Sequence, residues 1–147
     1  MRTHITERQQ HRTDPPLADA RRVLVVEDDP ALRDLMANVL AAEGYFVTET
    51  ADSPAMLRAV KAAESSESPF DLIVTDVRMP GQSGLEALAH LREVGCQTPT
   101  IVVTAFPDEK VQRQALELDT LLLPKPFALE TLRSIANRIL ATDPQDV

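Results

Sequence analysis

Four short apolar runs in this 147-residue chain each lead into side chains able to bind ions or act as nucleophiles. VLVV (23–26) runs into Glu27, Asp28 and Asp29, and FDLIVTD (70–76) ends on Asp76. TIVVTA (100–105) carries Thr104, and LLLPKPF (121–127) sets Lys125 between two prolines. If the runs from 23 and 70 are neighbouring strands, Glu27, Asp28 and Asp76 converge. Three such carboxylates repel one another and raise each other's pKa unless a positive charge joins them. A hard divalent cation with oxygen ligands answers that need. Mg2+ suits the set, because it takes one or two carboxylates, keeps waters and accepts a phosphate oxygen. Lys125 adds a further positive charge on a long stem. Three carboxylates, one divalent ion and one ammonium sum to zero. Those positive charges must be in place before a phosphoryl group is added.

Taken singly, each group has an ordinary reading. Asp28-Asp29-Pro30 suits a helix N-cap. Asp76 suits a turn ahead of Pro80-Gly81, Thr104 a β-branched strand position, and Lys125 a solvated surface. Their joint placement, at the same end of one sheet, is what favours a shared site.

The elements that must hold them follow from alternating periods. After VLVV, PALRDLMANVLAAEG has Leu32, Leu35, Met36, Val39 and Leu40 at helical spacing, with Pro30 and Gly44 suiting its ends. YFVTET (45–50) reads as a strand with no evident chemistry beyond Glu49 and Thr50. SPAMLRAVKAAE has Ser53 as N-cap and Met56, Leu57 and Val60 on one face. GLEALAHLREVG puts Leu85, Leu88 and Leu91 on one stripe, and PDEKVQRQALEL has acids in its first turn, where they suit the helix dipole. TLLL is a fifth strand, and ALETLRSIANRIL closes with Leu129, Leu132, Ile135, Ala136 and Ile139 inward. The order is βα five times over. Continuous apolar strands imply burial on both faces, hence a parallel sheet covered by helices. Right-handed crossovers then give a three-layer, doubly wound α/β domain. Such sheets bind ligands outside the carboxyl ends of their strands, where strand order switches.

Composition bounds the function classes. Hydrophobic residues make up 44% of the chain and aromatics 3%, so the expected core is aliphatic. A net charge of −8 argues against non-specific nucleic-acid binding, which needs a basic face. The single cysteine, Cys96, excludes an intramolecular disulfide and a cysteine-based zinc site, and it fits a reducing compartment. No apolar run approaches a membrane span, and MRTHITERQQHRTDPPLADA has no apolar core of a signal peptide. Residues 1–20 read as a flexible N-terminal tail, 21–141 as the domain and 142–147 as a C-terminal tail.

In this order, VLVVEDDPALRDLM, DLIVTDVRMPGQSG, TIVVTA and LLLPKPF resemble a response-regulator receiver domain of two-component signalling, from about Arg21 to about Leu140. The resemblance implies a flavodoxin-like sheet with strand order 2-1-3-4-5. It implies that Asp76 is the phosphoacceptor. Glu27 and Asp28 match the acidic pair that holds Mg2+, with Asp28 the direct ligand, and Arg78 matches the position whose backbone carbonyl also binds the metal. Thr104 matches the switch hydroxyl. Lys125 matches the lysine that contacts a phosphoryl oxygen, and its bond to Pro126 is expected to be cis, a geometry credible only at X-Pro. Ala105, Phe106, Leu122 and Pro126 fall at positions that tune the switch.

The function so implied is a cytoplasmic signalling switch rather than an enzyme, although one that assists its own phosphorylation and dephosphorylation. Its expected donor is a sensor histidine kinase or a histidine phosphotransfer protein, and its expected reader is a downstream protein. Neither nucleic acid nor membrane is an expected direct partner. The face of the fourth helix, fifth strand and fifth helix repacks on phosphorylation and is where a second copy would pair. Nothing after the fifth helix resembles an output domain, so a stand-alone receiver is expected.

Three positions depart from the family pattern. Leu122 stands where Tyr or Phe is usual, Leu118 and Asp119 stand in place of Gly-Ala, and LLL makes the fifth strand unusually apolar. That apolar run suits either core packing or a docking patch. Arg78 and Phe106 occupy positions that tune the acyl-phosphate lifetime in the family, and Phe106 is a candidate to replace the missing aromatic signal. Two other functions compete: a binding module with this fold that is never phosphorylated, and an aspartyl-nucleophile phosphatase. The second would want an acid where Arg78 stands.

Overall fold

Five apolar runs become five parallel strands in the computed structural model, which describes residues 20–79 and 81–141 and the backbone of Thr6–Glu7. The strands are β2 (Arg22–Val26), β3 (Phe46–Thr50), β4 (Leu72–Asp76), β5 (Thr100–Thr104) and β6 (Leu121–Pro124). They lie in the order β3-β2-β4-β5-β6, which is the expected 2-1-3-4-5. A sixth strand, β1 (Thr6–Glu7), was not expected. It pairs antiparallel with β3, Thr6 opposite Glu49 and Glu7 opposite Thr48. It covers ladder groups that β3 would otherwise present at an open edge. A two-residue pairing leaves no periodicity to read in a sequence. The rest of the expected N-terminal tail and the C-terminal tail lie outside the described residues.

Period-two alternation sends successive strand residues to opposite faces. Val23 and Val25 face a core completed by Met36, Ala37 and Leu40 of α1 (Pro30–Ala41) and Leu132, Ala136 and Leu140 of α5 (Leu129–Ala141). Leu24 and Val26 face the other side, against α2 (Ser53–Ser65) and α3 (Gly84–Glu93). Val102 meets Val111 of α4 (Glu109–Glu117) on that same side. Three layers result.

The helix starts show why the chain turns where it does. Asp29 caps α1 by accepting from Ala31 N–H, with Pro30 at the first helical position. Gly44 follows at φ +96°, a conformation that favours glycine. Ser83 and Glu86 form a reciprocal capping box on α3. At α2 the cap is Asp52 rather than the expected Ser53. The Asp52 carboxylate takes Ala55 N–H, which frees the Ser53 hydroxyl to donate to Gln82 O at 2.6 Å.

Two apolar segments are only partly covered. Leu35 is 51% exposed, because α1 meets the sheet along the narrower stripe of Met36, Ala37 and Leu40. In β6 only Leu123 is buried; Leu122 is half-buried and Leu121 is 41% exposed. The run is apolar, but β6 is an edge strand, and among the described residues one flank of it has no neighbour in the sheet.

Candidate functional site

The reactive residues stand at the carboxyl ends of the strands, within one residue of the last ladder bond. Glu27 N–H donates to Thr50 O at 3.1 Å, Val77 N–H to Val103 O at 3.1 Å, and Lys125 N–H to Thr104 O at 2.7 Å. The backbones that carry Glu27, Asp76, Thr104 and Lys125 are thereby fixed by the sheet. The chain leaves β2 toward β3 on one side, while β4 lies on the other. That is the switch point at which such sheets bind ligands.

Lys125 ties the site together. Its Nζ lies 2.7 Å from Asp76 Oδ2 and 3.0 Å from Glu27 Oε1. Both carboxylates are nearly sealed from solvent, Asp76 at 5% and Glu27 at 1% exposure, so the ammonium acts where water screens little. Burial pulls the Lys125 pKa down, but its hydrogen bonds to Asp76 and Glu27 outweigh that and hold it above its ordinary value. Glu27 moves furthest. Burial pushes its carboxyl from 4.5 up to about 7, and the Asp76 charge and a hydrogen bond with Asp28 add to the rise. The Asp29 N–H, 3.0 Å from Glu27 Oε2, and the Lys125 ammonium pull the other way. One lysine therefore leaves this acidic site short of positive charge at neutral pH.

Oxygens of Glu27, Asp28 and Asp76 lie within 4.8 Å of one another. Asp28 is exposed and completes the opening of the cluster, while Asp29 is taken up by its cap. An all-oxygen, three-carboxylate set with an open side fits a hard divalent ion such as Mg2+. Arg78 donates its backbone N–H to Asp76 Oδ1 at 3.3 Å. Thr104 is fully buried, and its hydroxyl oxygen accepts Phe106 N–H at 3.0 Å, which leaves the hydroxyl proton to donate elsewhere. The Lys125–Pro126 bond is cis, as the resemblance implied.

The surrounding positions divide. Ala105 and Pro126, with Leu32, Lys125 and Phe127, line an open apolar cavity of about 370 Å³ beside the lysine. Phe106 is 56% exposed, and the Arg78 guanidinium stacks on its ring at 4.4 Å. That contact bridges the loops that follow β4 and β5, which root Asp76 and Thr104. Leu122 packs instead toward Val102 and Val111 on the α4 side.

Two supporting residues escape a reading of the sequence for chemistry. Arg33 of α1 donates to Glu27 O at 2.9 Å, and its Nε lies 3.8 Å from the buried Glu49. It holds the end of β2 in place, and no local pattern announces it. At Gly84 an added Cβ would lie 1.9 Å from Asp76 O and 2.8 Å from Thr75 Oγ1. Only glycine lets α3 begin this close to the end of β4, and Gly84 N–H donates to Val77 O at 2.9 Å across the gap. A glycine at a helix start beside the motif was the available signal.

A family model for the response regulator receiver domain matches residues 23–137. The response regulator MprA of Mycobacterium avium is 37% identical over 129 residues, covering 85% of this chain and 54% of that protein. The chain thus spans about half the length of the curated relatives it matches. Among solved structures, the N-terminal domain of an uncharacterized protein from Wolinella succinogenes is 29% identical with a TM-score of 0.75, covering 83% of this chain and 95% of that one. The chemotaxis response regulator CheY4 of Vibrio cholerae is 28% identical with a TM-score of 0.70, covering 82% of this chain and 98% of that one.

Proposed function

The chain belongs to the response regulator receiver domain family, and on that premise we propose that Asp76 is its phosphoacceptor, charged by a phosphohistidine donor. The observation that carries this reading is the bridge from Lys125 Nζ to Asp76 and Glu27, beside a third carboxylate close enough to share one ion. The carboxylate of Asp76 attacks phosphorus in line. The new P–O bond forms as the P–N bond to the donor imidazole breaks, and that nitrogen keeps the electron pair and takes a proton. Glu27, Asp28, Asp76 and the backbone carbonyl of Arg78 would hold Mg2+, which when bound shields the charge on the phosphoryl oxygens. Lys125 releases part of its hold on the carboxylates and pairs with a phosphoryl oxygen. Loss of the group is hydrolysis, in which water attacks phosphorus and the Asp76 carboxylate leaves.

The switch follows from the same contacts. A phosphoryl group on Asp76 adds charge and acceptor oxygens, and the Thr104 hydroxyl turns to donate to one of them. Its tie to Phe106 N–H then breaks. The stacked Arg78–Phe106 pair carries the signal to the surface, in place of an aromatic ring at Leu122. Conformations already in equilibrium change their populations. The apolar cavity at Leu32, Ala105 and Phe127 receives the donor, a histidine kinase or phosphotransfer protein. The exposed Leu116 and Leu121 on α4 and β6 meet a downstream protein or a second copy. The reading includes a cytoplasmic location, the compartment of that donor.

Incubation with Mg2+ and acetyl phosphate tests this. Intact mass should rise by one phosphoryl group in the wild type and stay unchanged in Asp76→Asn. A wild type that takes up nothing would instead mark a phosphorylation-independent binding module. Fast turnover of external phosphoesters would mark a phosphatase.

A further inference from the structure

The opposite end of β2 holds a second set of polar groups. Arg22 opens this strand and Glu27 follows its end, about 16 Å away by strand rise. Here a cavity of about 220 Å³ lies between the sheet and α2, lined by Arg22, Thr48, Ala59, Ala63, Ser66 and Ser68 among others. The Arg22 guanidinium carbon lies over the Phe46 ring at 4.7 Å and over the Phe70 ring at 5.8 Å. A guanidinium in contact with aromatic rings makes its hydrogen bonds through its edge. On that edge Nε is buried and has no partner. Thr48, 3% exposed, lines the same cavity, and its Oγ1 is also buried and without a partner. Among the described residues no carboxylate pairs with this guanidinium. Asp71 is taken up by Arg22 N–H at 2.8 Å and by Arg21 at 3.8 Å.

Two buried, unpartnered polar groups on residues that line one cavity are costly unless a ligand group satisfies them. We propose that this cavity binds a small carboxylate carrying a short aliphatic chain. The side edge of a guanidinium presents two parallel N–H groups, which match the two oxygens of one carboxylate. The Thr48 hydroxyl donates to the same group, and the Ser66 and Ser68 hydroxyls stand at the rim. Ala59 and Ala63 form an apolar wall for the chain. A single lining cation suits a monoanion better than a phosphate dianion. At about 30 Å³ per water-sized group, the space of about 220 Å³ takes roughly seven non-hydrogen atoms, room enough for the slightly smaller butyrate. Such a ligand would join α2 to β2 and β3 and stabilise the fold by mass action.

Butyrate titrated into 15N-labelled full-length protein at constant ionic strength tests the site. Saturable shifts of the Arg22 Nε–H and Thr48 amide signals are expected. Their midpoint should move at least fivefold upward in both Arg22→Gln and the isosteric Thr48→Val. Asp76 labelling by acetyl phosphate should be unchanged in both variants, which separates this site from the phosphoacceptor. Thr48→Val decides alone if Arg22→Gln does not fold. Absence of saturation, equal midpoints in wild type and Thr48→Val, or the same response to chloride or inorganic phosphate would overturn the proposal.

Discussion

Glu27 sets the resting state of the site. A carboxyl raised from 4.5 to about 7 stabilises the fold below its unfolded value, and that contribution is lost as pH rises through about 7. The metal-free protein should therefore melt at a lower temperature at pH 8 than at pH 5.5. Mg2+ should raise the melting temperature more at pH 8, where Glu27 is ionised. An equal Mg2+ effect at both values would contradict this. A second expectation rests on the stack of Arg78 on Phe106. If the pair limits the attacking water, Phe106→Ala should shorten the acyl-phosphate lifetime several-fold, and Arg78→Ala should add little to it. A lifetime unchanged in Phe106→Ala would sink the idea. At this scale the sequence was most informative, because Glu27, Asp76, Thr104 and Lys125 each follow an apolar run. Arg33 was invisible, since its carbonyl partner lies in another element.

Elements position these side chains by close approach as much as by hydrogen bonding. α3 begins against the carbonyl of Asp76, with no room for a methyl group at Gly84. Gly84→Ala should destabilise the protein by about 1–3 kcal/mol and slow phosphoryl uptake by moving the end of β4. Urea unfolding and the acetyl phosphate reaction would measure both; a neutral variant would refute the close approach. Periodicity located the five helices and the five parallel strands of the described residues. It left the cover of Leu35 and Leu121 undecided, because an apolar residue reveals its type and not whether a neighbour covers it. It also missed β1, which pairs through backbone groups alone. Asp119, in the usual place of a small residue, takes φ +56° as a left-handed position after α4, which Asp tolerates better than most side chains.

The whole molecule separates three regions along one sheet: the acidic site at the strand ends, the Arg22 cavity at the other end, and the apolar edge at β6. The last is where an output contact is proposed. The phosphorylated chain should self-associate or bind its reader more tightly than the unphosphorylated one. Leu121→Glu should remove that difference while leaving phosphoryl uptake intact. Association unaffected by Leu121→Glu would move the output surface elsewhere. Fold class and strand order were legible because alternating periods leave few permitted topologies. Whether the LLL run packs in the core or lies open was not, because an edge strand and a core strand share one composition.

The central claim is the identity of the acceptor. An acyl phosphate reduced with borohydride leaves an alcohol where the carboxylate stood. After reaction with acetyl phosphate and Mg2+, peptide mapping should find homoserine at position 76 and unmodified Glu27 and Asp28. Reduction product at Glu27 or Asp28, or none anywhere, would contradict the account.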